Sequence, residues 1–105
     1  MGVVRYRPRA TADLEEIADF LAARESPRRA ERILGHLMNR ARWLASQPGV
    51  GRRRDDLGPR IRTWPERSFI IVYRQIAGDI EVVRVAHGTR LLELLLTENV
   101  DNDEP

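Results

Sequence analysis

Two apolar runs near the end of the chain constrain its fold more than anything else in the sequence. "RSFIIVYRQ" (67–75) and "IEVVRVAH" (80–87) are rich in β-branched and aromatic residues and flank the turn-forming "AGD" (77–79), so they read as an antiparallel pair of strands. Successive side chains of a strand point to opposite faces. Ile70, Ile71 and Val72 in one run, and Val82 and Val83 in the other, are apolar at adjacent positions, so both faces of the sheet must be partly covered.

Helices for one face are legible upstream. "TADLEEIADFLAARES" (11–26) places Leu14, Ile17, Ala18 and Leu21 at helical spacing, with Thr11 as N-cap and Asp13 in the first turn. Ser26-Pro27 is a second cap followed by proline at the first helical position, so one helix ends near Arg24 and the next begins at once. The second carries Ala30, Ile33, Leu34, Leu37, Ala41 and Leu44 on one stripe and stops at Pro48-Gly49. Helices joined so tightly form a hairpin. The first exposes mainly acids (Glu15, Glu16, Asp19) and the second mainly arginines (Arg28, Arg29, Arg32, Arg40), charges that could pair along their seam. Such pairs are worth only about 0.2–1 kcal/mol each, so the apolar stripes must hold the hairpin together.

The remaining segments complete an α+β plan. "VVRYRPR" (3–9) is a short strand that stops at Pro8, "GVGRRRDDLGPR" (49–60) is a loop, and "RIRTW" (60–64) is a strand ending at Pro65. The expected architecture is an N-terminal strand and a helix hairpin packed on a three-stranded antiparallel meander, with a short C-terminal helical segment, Leu91 to Leu96. Residues 1–97 form one domain and 98–105 an acidic, disordered tail. The second apolar face of the sheet and its open edge await a protein partner.

Composition narrows the function classes. The 105 residues include no cysteine, which excludes a disulfide scaffold and a thiolate metal site and suits a reducing cytoplasm. Nowhere do about 18 consecutive apolar residues occur to span a bilayer. All 18 basic residues are arginine, and residues 1–97 set 18 of them against 12 acids, a net of +6 that favours an acidic partner, protein or nucleic acid.

Few residues could carry acid–base chemistry. His36 sits in mid-helix and reads as a surface or seam residue, and Tyr6 and Tyr73 read as core rings with marginal hydroxyls. His87, ending a strand beside Gly88, is the best titratable candidate, in competition with a structural role orienting the "HGTR" turn (87–90). Metal-free RNA cleavage needs a base, an acid and cations around the phosphate, and no further acid or base follows His87 until Glu93. Arg52 to Arg54 are largely cancelled by Asp55 and Asp56. Arg60, Arg62 and Trp64 fall on one strand face by period two, with Arg74 and Arg84 expected across from each other, either a patch that grips an acidic partner or arginines paired within the chain with Glu66, Glu81 and the acids of the first helix.

The order strand, helix hairpin, meander, with Pro48-Gly49, Arg62, Pro65, Tyr73-Arg74, Arg84, His87 and Arg90 at their spacings, resembles the ParE toxins of the RelE/ParE superfamily over roughly residues 3–95. The resemblance implies the toxin half of a type II toxin–antitoxin system, a plasmid-stabilisation type of device. Its partner would be a ParD-like antitoxin in a hetero-oligomer that contacts DNA mainly through the antitoxin. It also implies DNA gyrase as target, arrested by binding, with no cofactor, no metal and no catalytic residue. The partner-binding surface would comprise Arg62, Trp64, Arg74, Arg84, His87 and Arg90. The RelE branch shares the fold, so the alternative is a ribosome-dependent mRNA endonuclease using His87, Arg84 and Arg90. A third reading is a non-toxic interaction module. ParE-like sequences often place an acid after the final arginine, whereas here Leu91-Leu92 follow Arg90.

Overall fold

A computed structural model of the chain describes residues 2–88. In chain order the elements are β1 (Val4–Tyr6), α1 (Pro8–Arg24), α2 (Pro27–Ser46), β2 (Arg52–Arg53), β3 (Ile61–Glu66), β4 (Phe69–Ile76) and β5 (Asp79–His87). The expected C-terminal helical segment and acidic tail lie outside the described residues.

The meander is present as β3, β4 and β5, each antiparallel to the next. Two strands extend it. β1 pairs parallel to β5, Val4 opposite Ile80 and Tyr6 opposite Val82, and the two-residue β2 pairs antiparallel with β3. The sheet order is therefore β1-β5-β4-β3-β2. β2 corrects the reading of residues 49–60 as loop throughout, since two arginines between glycines and aspartates carry no strand signal.

Pro8 does not simply stop the first strand; it is the first residue of α1, where its fixed φ suits the helix and its missing N–H is no loss. The helix thus starts ahead of the expected Thr11 cap, with Arg7 at the N-cap making no side-chain capping bond. Ser26 caps α2 as anticipated, its Oγ accepting from the Arg29 N–H at 3.0 Å. β3 runs through Pro65 to Glu66. Pro65 is tolerated because β2 covers only Arg62 and Thr63, which leaves the rest of that edge without a ladder bond to lose.

The adjacent apolar positions have a geometric origin. Tyr73 pairs with Val82 but Val72 pairs with Arg84, so Val83 is an extra residue in β5, a bulge that re-aims the side chains beyond it. Phe69, Ile71, Tyr73, Ile80, Val82 and Val85 join the helix residues Leu21, Ile33, Leu37, Ala41 and Leu44 in one core cluster. On the opposite face Ile61, Val72, Val83 and Ala86 form a second cluster, with Leu57 and Ile70 packed against it. Its members are at most 3% exposed. The expectation that this face awaits a partner is therefore corrected, because the chain buries it by itself.

Candidate partner-binding surface

Several of the motif residues clamp the loop after α2. The Tyr73 hydroxyl, on a ring with no solvent exposure, donates to the Pro48 carbonyl at 2.9 Å and accepts from the Gly51 N–H at 2.9 Å. Arg62 Nη1 donates to the Gly49 carbonyl at 3.1 Å and to the Gly51 carbonyl at 2.8 Å. Gly51 is required in this clamp, since a Cβ there would overlap the Tyr73 hydroxyl. Burial pushes the Tyr73 hydroxyl above its ordinary pKa, so it keeps its proton, and its donor role, through the neutral range. Arg62 and Tyr73 thus fix where the chain leaves α2 and enters β2.

Arg84 is only 5% exposed, and its guanidinium grips Asp13 with both prongs, Nε to Oδ2 at 2.9 Å and Nη2 to Oδ1 at 3.1 Å. Asp13 Oδ2 also accepts from the Val85 N–H at 2.9 Å. β1 pairs with β5 no further than Val82, so Asp13 satisfies β5's backbone where the ladder has ended and ties α1 to the sheet. Asp13 was legible only as a first-turn acid. Because the helix starts earlier, it faces β5 instead.

Arg74 does not face Arg84. It lies opposite Ile61 on β3 and Glu81 on β5, and its Nε donates to Glu81 Oε1 at 3.0 Å, while Arg7 approaches the same carboxylate at 3.7 Å. Arg60 lies outside β3 with a left-handed φ of 66°, so it does not share the face of Arg62 and Trp64. In the β2 loop Arg53 pairs with Asp55 and Arg54 with Asp56 at 2.9 Å each, the self-neutralisation the sequence suggested. The Arg54 guanidinium holds the Asp56 carboxyl below its usual range.

Trp64 belongs to a cluster that sequence reasoning only half found. Its ring lies 5.1 Å from that of Trp43 on α2, tilted by 59°. The Arg40 guanidinium stands 4.7 Å from the Trp43 ring centroid and 5.7 Å from that of Trp64, and its Nε donates to Glu66 Oε1 at 2.8 Å. One turn back on α2, His36 Nε2 lies within hydrogen-bond distance of Arg67 Nη2, at 3.1 Å. His36, Arg40 and Trp43 recur at i, i+4 and i+7, a spacing on the polar flank of α2 that the apolar stripe obscured.

His87 is exposed at the end of β5, its ring edge-on to Phe69 at 5.5 Å. Arg90 lies outside the described residues. The expected surface is therefore dispersed: Arg62 and Trp64 share a strand face, Arg74 serves the opposite face, and Arg84 is buried against Asp13. Among the described residues no group of three or more His, Cys, Asp and Glu is placed to hold a metal ion, and no helix is long and apolar enough to cross a membrane.

Comparison with solved structures shows the fold first. The chain superposes on a protein described as "Chromosomal ParDE TA system from P. aeruginosa" with a TM-score of 0.71, 24% identity and coverage of 83% of this chain and 96% of that one, so it shares that protein's α+β fold. In sequence it is 37% identical to Toxin ParE1 of Mycobacterium tuberculosis over 81 residues, 76% of this chain and 83% of the relative. It is 27% identical to Toxin ParE3 of Caulobacter vibrioides over 86 residues, 82% of this chain and 85% of the relative. The family described as "ParE toxin of type II toxin-antitoxin system, parDE" matches residues 4–92, and the chain belongs to that family of type II toxins.

Proposed function

We propose that this chain is a cytoplasmic toxin that arrests DNA gyrase by binding, is held inactive by a ParD-like antitoxin in a hetero-oligomer, and meets DNA mainly through that antitoxin. Membership of the ParE family over residues 4–92 is the observation that carries the reading. The site geometry supports binding over cleavage. An acid–base nuclease built on His87, Arg84 and Arg90 would need cations available to a scissile phosphate, and the Arg84 guanidinium is occupied by Asp13 in a bidentate, buried pair. Arg62 likewise grips backbone carbonyls, so its role in partner binding would be to present the loop after α2 rather than to touch the partner.

Controlled expression of the chain in a bacterial host tests the reading. Filamentation with a DNA-damage response and intact messages is the expected result. Rapid message decay without DNA damage would transfer the function to the nuclease reading, and no growth effect in any host would leave the non-toxic interaction module.

A further inference from the structure

The turn between β3 and β4 holds a residue the backbone does not favour. Glu66 and Phe69 pair directly, leaving Arg67 and Ser68 as a two-residue loop, and Arg67 has a φ of 58°. A two-residue hairpin with positive φ at its first loop position normally has glycine there. Arginine at that site places a side chain where none would be easier, and strained non-glycine residues of this kind cluster at functional sites.

The side chain reaches a surface of matching chemistry. Arg67 is exposed and its Nη2 lies 3.1 Å from the His36 imidazole, whereas Arg40, Arg74 and Arg84 each hold a carboxylate of the chain. A carboxylate exchanging with the imidazole would receive a shorter, charge-assisted bond. One turn along α2, Arg40 lies against Trp43 and Trp64, partly exposed rings that offer a flat, low-entropy contact. Residues 2–88 set 17 arginines against 11 acids, so a cationic domain presents this corner to whatever approaches.

We propose that the α2 flank from His36 to Trp43, with the β3–β4 turn, docks an acidic stretch of the antitoxin, and that Arg67 is its carboxylate-binding residue. The inference rests on the reading of the chain as a toxin neutralised by an antitoxin. Its distinguishing feature is opposed signs: replacing Arg67 by glycine relieves the backbone while removing the contact.

The test uses the full chain and the antitoxin purified from its own operon, with calorimetric titration of wild type, Arg67→Gly and Arg67→Lys and a melting curve for each. Arg67→Gly is expected to melt no lower than wild type yet bind the antitoxin at least about tenfold more weakly, the loss of one charge-assisted contact. Arg67→Lys, which keeps the charge, should recover most of that loss. Antitoxin affinity of Arg67→Gly within about twofold of wild type overturns the proposal. So does a variant that binds antitoxin normally but loses affinity for gyrase or for a short RNA, since the contact then belongs to another partner. If wild type itself fails to bind the antitoxin, the toxin–antitoxin reading falls first and this inference with it.

Discussion

Truncation of Asp13 to alanine removes three acceptor contacts at once, two from the Arg84 guanidinium and one from the Val85 N–H. The pair is dry, with side-chain exposures of 6% for Arg84 and 11% for Asp13, so solvent screening gives little relief. Truncating Asp13 takes both charge-assisted bonds from a buried guanidinium and the acceptor from the Val85 N–H, at a cost of about 3–5 kcal/mol. For a domain of this length about 1 kcal/mol corresponds to about 4–8 °C in Tm, so a drop of at least about 12 °C is expected by calorimetry or urea titration. Arg84→Met in the Asp13→Ala background removes the buried guanidinium that has lost its carboxylate and should recover much of the loss, whereas the two changes would add if the groups were independent. Asp13→Ala within about 1 kcal/mol of wild type, or a double variant no more stable than the single one, would refute the view that this pair fastens α1 to β5.

Other consequences follow from the same geometry. Tyr73→Phe should cost about 1–3 kcal/mol in urea unfolding, because the Gly51 N–H and Pro48 carbonyl lose their buried partner. Gly51→Ala should destabilise by a comparable amount, read the same way, through overlap with the Tyr73 hydroxyl. Burial raises the pKa of both Tyr6 and Tyr73, so the proton is held more tightly in the folded state; their contribution is complete below about pH 10, the ordinary tyrosine value, and is lost as pH rises beyond it. Urea midpoints at stepped alkaline pH should therefore fall, and Tyr73→Phe should flatten the decline. Ser26→Ala should cost about 1 kcal/mol, seen as a lower urea midpoint, by uncapping α2.

The legible parts of the fold were those written in local pattern. The helix boundary at Ser26-Pro27 and the bodies of β4 and β5 carry caps, periodicity and turn residues that need no tertiary information, although Arg67 and Ser68, read as the start of a strand, form the turn before β4. The early start of α1 was missed because Thr11 is a good cap by type, while Pro8 is equally at home ending a strand or opening a helix. β2 was missed because two residues have no period and are held by β3 alone. In the site, residue types that ordinarily mark contact surfaces proved to be bound within the chain: Arg84 by an aspartate 71 positions away, Arg62 by carbonyls 11 and 13 positions away. The acids of the first helix are one of the two kinds of partner the sequence suggests for these arginines, but no sequence spacing singles out Asp13 or the loop carbonyls. His36, Arg40 and Trp43 had a findable signal in their i, i+4, i+7 recurrence, and the positive φ of Arg67 had none.

Supercoiling of relaxed plasmid by purified gyrase, with the purified chain added in several-fold excess and the antitoxin then titrated in, tests the central claim most directly. Inhibition with trapped cleavage complexes, relieved stoichiometrically by antitoxin and retained by His87→Ala, is the predicted result. Gyrase left fully active, with ribosome-bound message cut by wild type and spared by His87→Ala, would contradict it.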